Sequence, residues 1–172
     1  MKSYLALTII ADDVPGVVER IADVVMHSGG NWTESSMSRL AGKFAGILLV
    51  EVPSAHQAEL TAALESLAGE GIKVTVEPAG ESESEDPGEI LTMSLMANDR
   101  IGIVEEITAI LAGLKVNVEQ LHTHCENAPM SAVALFRASA RIHLPPGLHQ
   151  DDLQASLEDL SGDIMVELDV PE

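Results

Sequence analysis

Laying residues 1–52 over residues 87–138 at a constant offset of 86 aligns Ala11, Asp13, Gly16, Val18, Glu19, Ile21 and Asn31 with Ala97, Asp99, Gly102, Val104, Glu105, Ile107 and Asn117. Conservative pairs such as Val17 with Ile103 lie between them. One offset held through a motif and its flanks is the signature of an internal duplication, and it constrains the fold strongly: whatever the first half forms, the second must form too. The expected division is a domain over 1–78, a linker over 79–88 and a domain over 89–172. The stretch Pro78 to Glu89 reads PAGESESEDPGE, with five acidic groups, no basic one and no large apolar side chain. That is the composition of a solvated connector.

Each copy carries the same order of patterns. Leu5, Leu7 and Ile9 alternate with Ala6, Thr8 and Ile10, as Leu91, Met93 and Leu95 do with Thr92, Ser94 and Met96, which is strand periodicity. A helical apolar stripe follows: Val17, Val18, Ile21, Val24 and Val25, then Ile103, Val104, Ile107, Ile110 and Leu111. The first helix is expected to stop at Gly29 and Gly30, the second near Gly113. Two strands follow near 31–40 and 43–52, turned by Ala41 and Gly42. Ser54 is positioned to cap a second helix with Leu60, Leu64 and Leu67 on one face, and Ile72, Val74 and Val76 form a closing strand. In the second copy the counterparts are Leu153, Leu157 and Leu160, then Ile164, Val166 and Leu168, at an offset grown to 92. The six added residues are expected in the loop holding Pro145, Pro146 and Gly147. The order strand, helix, strand, strand, helix, strand, twice over, predicts an α+β chain of two ferredoxin-like βαββαβ domains, each a four-stranded antiparallel sheet with two helices on one face. Ile10, Ile47, Leu49 and Met96 put apolar groups on the other face too, so packing between domains or a homo-oligomer is expected.

Charge removes several classes of function. Nine Lys and Arg against 28 Asp and Glu leave a net charge of -19, which repels phosphate backbones, so direct nucleic-acid binding is not expected. Aromatic residues are only 2% of the chain, too few for a base-stacking platform. No apolar run reaches the ~18 residues that span a bilayer, Met1 to Ala11 lacks the blocks of a signal peptide, and Cys125 is the single cysteine. A cytoplasmic protein without membrane association is expected.

The strongest chemical signal is Asp13-Val14-Pro15-Gly16 with its copy Asp99-Arg100-Ile101-Gly102, each where a strand meets a helix. The first amides of a helix lack internal acceptors and carry partial positive charge, so a carboxylate can dock there. Equally, Asp13 and Asp99 can cap their helices while Pro15 favours the first turn. Asn31 and Asn117, eighteen residues after the two aspartates, can hydrogen-bond an amino acid or simply occupy a left-handed turn.

Duplicated βαββαβ units with D-x-P-G and D-R-I-G at the first turn and Asn at the next strand resemble ACT domains over nearly the whole chain. The stretches Met37-Ser38-Arg39-Leu40 with Phe44-Ala45-Gly46-Ile47, and Ala128-Pro129-Met130-Ser131 with Leu135-Phe136, resemble the freestanding tandem members of that family that repress the glycine cleavage system. The resemblance implies a non-enzymatic regulator that binds a small amino acid, glycine or serine, at Asp13, Val14, Pro15, Gly16 and Val17 and at Asp99, Arg100, Ile101, Gly102 and Ile103, helped by Asn31 and Asn117. It further implies action through a protein partner such as a LysR-type activator, relieved by glycine, with no cofactor. Val14 becomes Arg100 in the second copy, whose charge would attract a ligand carboxylate, and Asp12 becomes Asn98, so the two sites are expected to differ.

Two alternatives stand beside this. One is an ACT interaction module that senses nothing. The other is a small metal site at His122-Thr123-His124-Cys125, weakened because strand alternation puts Cys125 opposite the two histidines. Ser35 and Ser36 sit in no nucleophile turn, no P-loop is present, and Trp32 reads as a core or interface anchor.

Overall fold

The computed structural model describes residues 1–80, 88–130 and 132–172. The chain divides into two compact units, residues 1–83 and 84–172. In the first, β1 (Lys2–Asp12) leads into α1 (Val17–His27), then β2 (Asn31–Leu40), β3 (Lys43–Pro53), α2 (Gln57–Glu65) and β4 (Ile72–Ala79). The second repeats this with β5 (Glu89–Asn98), α3 (Ile103–Gly113), β6 (Asn117–Asn127), β7 (Ala134–Leu144), α4 (Gln150–Glu158) and β8 (Met165–Asp169). The sheets run β2-β3-β1-β4 and β6-β7-β5-β8, with every pairing antiparallel, as two ferredoxin-like sheets. Most of the acidic connector expected over 79–88 lies outside the described residues.

One face of each sheet is sealed by its helices. Leu5, Leu7 and Ile9 of β1 meet Ile21 and Val25 of α1 and Leu60 and Leu64 of α2, all nearly inaccessible to water. Leu91, Met93 and Leu95 repeat the arrangement with Ile107, Leu111, Leu153 and Leu157. Each such side chain contributes about 1.5–3 kcal/mol by leaving water. Val18 and Val104, expected on the buried stripe, are 44% and 43% exposed, because a helix resting on a sheet buries a narrower arc than the apolar pattern spans. Trp32 packs against the edge of the first core. No helix among the described residues is long and apolar enough to cross a membrane.

Local turns follow their residues with two corrections. Ala41 and Gly42 take φ of 50° and 76°, the left-handed pair that a two-residue hairpin requires. Ser54 opens a 3-10 turn and does not cap α2; its hydroxyl donates to the Met1 carbonyl. The six-residue insertion is not in the Pro145-Pro146 loop. Ala11 faces Phe44 and Ala97 faces Phe136, so β7 already stands 92 residues after β3 while β6 stands 86 after β2. The added residues therefore lengthen the β6–β7 hairpin tip, where they disturb no sheet pairing.

Candidate functional site

The turn between first strand and first helix is built alike in both units. Gly16 at φ 93° precedes α1 and Gly102 at φ 89° precedes α3. Both glycines answer a left-handed backbone, and around Gly16 the space is open, since a Cβ there would meet nothing within 4 Å. The capping expected of Asp13 and Asp99 is not observed: neither helix has a side-chain cap, which leaves its first-turn amides without that acceptor. The Asp13 N–H donates to the Gly42 carbonyl at 3.0 Å and the Asp99 N–H to Ala134 at 2.8 Å, so both aspartates are tied toward the β2–β3 and β6–β7 hairpins.

In the first unit the turn opens on a cleft of about 380 Å³. Val14, Pro15, Gly16 and Val17 line it, with Asp12 at the strand end and Arg20 facing Glu70 and Gly71. The Arg20 guanidinium donates to both Glu70 oxygens at 2.8 Å and to Asp23 at 3.2 Å. That hydrogen-bonded pair holds the Glu70 carboxyl below the usual carboxylate range. Asp12 is likewise held low by its hydrogen bond from Lys43. A small zwitterion entering here meets helix-end amides on one side and carboxylates on the other. Asp13 does not line the cleft; its carboxylate accepts from Arg39 Nη1 at 3.3 Å.

Asn31 is not brought to this turn. It pairs with Glu51, which faces Tyr4 near the start of β1, while Asp12 at the far end of β1 faces Lys43. The eight residues from Lys43 to Glu51 put about 26 Å between them along the sheet. Asn117 stands in the same relation to Asp99, since it pairs with His143, which faces Ile90, whereas Asn98 faces Leu135.

The second turn carries different chemistry. Arg100 does not stand free for a ligand: its two terminal nitrogens donate to the two Glu106 oxygens at 2.7 and 2.6 Å, holding Glu106 below its usual range. The duplication makes the exchange plain, because position 20 is Arg and its equivalent 106 is Glu, while Val14 has become Arg100. Asn98 donates its N–H to Asp163 at 2.8 Å. Ile101 is fully exposed and Ile103 buried. Cys125 occupies the place of Arg39 and lies beside Asp99; desolvation first, then that carboxylate, pushes its thiol above the usual range. Asp99→Asn should therefore accelerate iodoacetamide labelling of Cys125 at pH 8 about threefold. An unchanged rate would show that Asp99 does not govern the thiol.

His122 and His124 point to the open face of the second sheet and Cys125 to the other, and among the described residues no three His, Cys, Asp or Glu side chains are grouped to hold a metal. Arg20, Glu70 and Gly71 were not singled out by sequence. Arg20 breaks the repeat, which is the one signal it offered; Glu70 and Gly71 reach the cleft from fifty residues away with no local mark.

Residues 3–77 match the ACT domain family. The whole chain superposes on a crystal structure of an unknown protein from Galdieria sulphuraria with a TM-score of 0.85, at 25% identity and covering 100% of both chains. It superposes on a proposed glycine cleavage system transcriptional repressor with a TM-score of 0.74, at 16% identity, covering 98% of this chain and 97% of that one. Among curated proteins none matches the sequence.

Proposed function

We propose, for a chain whose N-terminal half belongs to the ACT domain family and whose second half repeats its fold, the role of a regulatory protein responsive to a small amino acid. The observation that carries this reading is the cleft at the first turn, where the open backbone around Gly16 and the start of α1 lie opposite Glu70. A ligand carboxylate docks on the first-turn amides and its ammonium faces the Asp12 oxygen that Lys43 does not engage, both Glu70 oxygens being held by Arg20. Glycine and serine are the ligands this reading favours, on the likeness to a glycine cleavage system repressor. Asn31 stands about 26 Å along the sheet from Asp12 and would meet such a ligand from a second copy of the chain, so a homo-oligomer is the binding form this reading favours.

The second turn supports a different role. With Arg100 engaged by Glu106 it is read as an interaction element that does not sense the ligand. Output passes through a protein partner, a LysR-type activator of glycine cleavage genes being the choice suggested by resemblance to the repressor. The net charge of -19 speaks against direct contact with DNA.

Calorimetric titration of the full chain with glycine and with L-serine tests the sensor. Saturable heat is expected, weakened about tenfold in Gly16→Ala, whose methyl group occupies the cleft and strains the turn. Absence of heat with either amino acid, or equal binding by wild type and Gly16→Ala, overturns it.

A further inference from the structure

The open faces of the two sheets have diverged. In the first, the strand rows turned away from the helices carry Ala45, Ile47 and Leu49 on β3 with Ser36 and Ser38 on β2. The equivalent rows of the second carry Arg137, Ser139 and Arg141 on β7 with His122 and His124 on β6. A chain with nine Lys and Arg against 28 acids thus carries two arginines and two histidines on these rows, Arg141 being paired with Glu119 at 2.8 Å and Arg137 with Glu126.

A cleft of about 410 Å³ lies on that face, within the size range of small-molecule sites. Two rows cross its floor from β6 to β8. The first reads His124, Arg137, Met96, Met165, and the second His122, Ser139, Ser94, Glu167. Each row grades from bases at one side to thioethers or a carboxylate at the other. Arg137 is oriented by donating its Nε to Glu126, and its two terminal nitrogens have no partner among the described residues. His124 Nε2 lies 3.8 Å from Glu126, and His122 has no polar partner among the described residues. Two strand spacings, about 10 Å, separate Arg137 from Met165.

We propose that this cleft binds a monocarboxylic acid with a short branched or linear hydrocarbon body. The carboxylate accepts from the free Arg137 nitrogens, with His122 and His124 beside it, and the body lies over Met96 and Met165. Ser94 and Ser139 leave a shallow floor that a larger side chain would fill. Glu167 at the far edge disfavours a second negative charge on the ligand. The site is separate from the first-turn cleft and stands without it.

The full chain is titrated with 4-methylpentanoate while the methyl signals of Met96 and Met165 and the imidazole signals of His122 and His124 are followed by NMR. Saturable shifts at both groups are expected. Affinity should fall at least about tenfold in Arg137→Gln, fall again in Met165→Gln, where the charges are untouched, and rise about threefold in Glu167→Gln. Gly16→Ala should leave the titration unchanged, so failure here and failure of the amino-acid site are read separately. The proposal is overturned if no saturable shift occurs, if acetate or inorganic phosphate binds as tightly as 4-methylpentanoate, or if neither Arg137→Gln nor Met165→Gln weakens binding.

Discussion

Gly46→Ala is expected to destabilise the N-terminal domain by about 3 kcal/mol, at the upper end of what one added methyl group costs in a packed interior. A Cβ on Gly46 would stand 2.2 Å from the Ser36 carbonyl oxygen and 2.7 Å from Met37 Cα, and both are backbone of the neighbouring strand. The strands must separate, and the Met37 Cγ, also 2.7 Å away, must shift from its place against the core. The second copy shows how the same pairing accommodates a methyl group: Thr123 faces Ala138 where Met37 faces Gly46. Met37→Thr should therefore recover part of the loss in Gly46→Ala, while Ala138→Gly should weaken the second domain by only about 1 kcal/mol. Urea unfolding of the variants and the double variant measures both terms. A loss below 1 kcal/mol for Gly46→Ala would mean that β2 shifts freely.

Truncating the central strands should have a comparable effect, confined to one half of the chain. Leu7 and Met93 are equivalent residues, each 1% exposed, in the middle of β1 and β5. Either change to alanine removes its methyl or methylene groups from a closed cluster and leaves a cavity, a loss of about 2–5 kcal/mol. Trp32 is the single tryptophan and packs on the first core, so its fluorescence reports that domain. Leu7→Ala should move the Trp32 transition to lower urea, and Met93→Ala should leave it in place while lowering a circular-dichroism transition. Equal movement of the Trp32 signal in both variants would show that the halves unfold as one.

The duplication and its periodicities were enough for both sheets and their helices, because strand and helix faces are local patterns that an entire copy repeats. β2 and β3, the Ala41-Gly42 turn and the buried stripe of α1 were all legible in this way. The hairpin insertion was misplaced because loop residues carry no period, and only the pairing of Phe136 with Ala97 fixes the register of β7. Val18 and Val104 read as core because hydrophobicity does not reveal how wide a helix contact will be.

At the first turn, sequence alone determined that a glycine recurs just before each first helix, at Gly16 and Gly102; that both take the left-handed backbone which glycine permits is seen only in the structure. Which charges surround those turns was decided by tertiary structure. Arg20 meets Glu70 across fifty residues, Arg100 folds back on Glu106, and Asn31 lies at the opposite end of the sheet from Asp13. Ion pairs and end-to-end distances depend on where separate strands and helices converge, and no single segment holds that information.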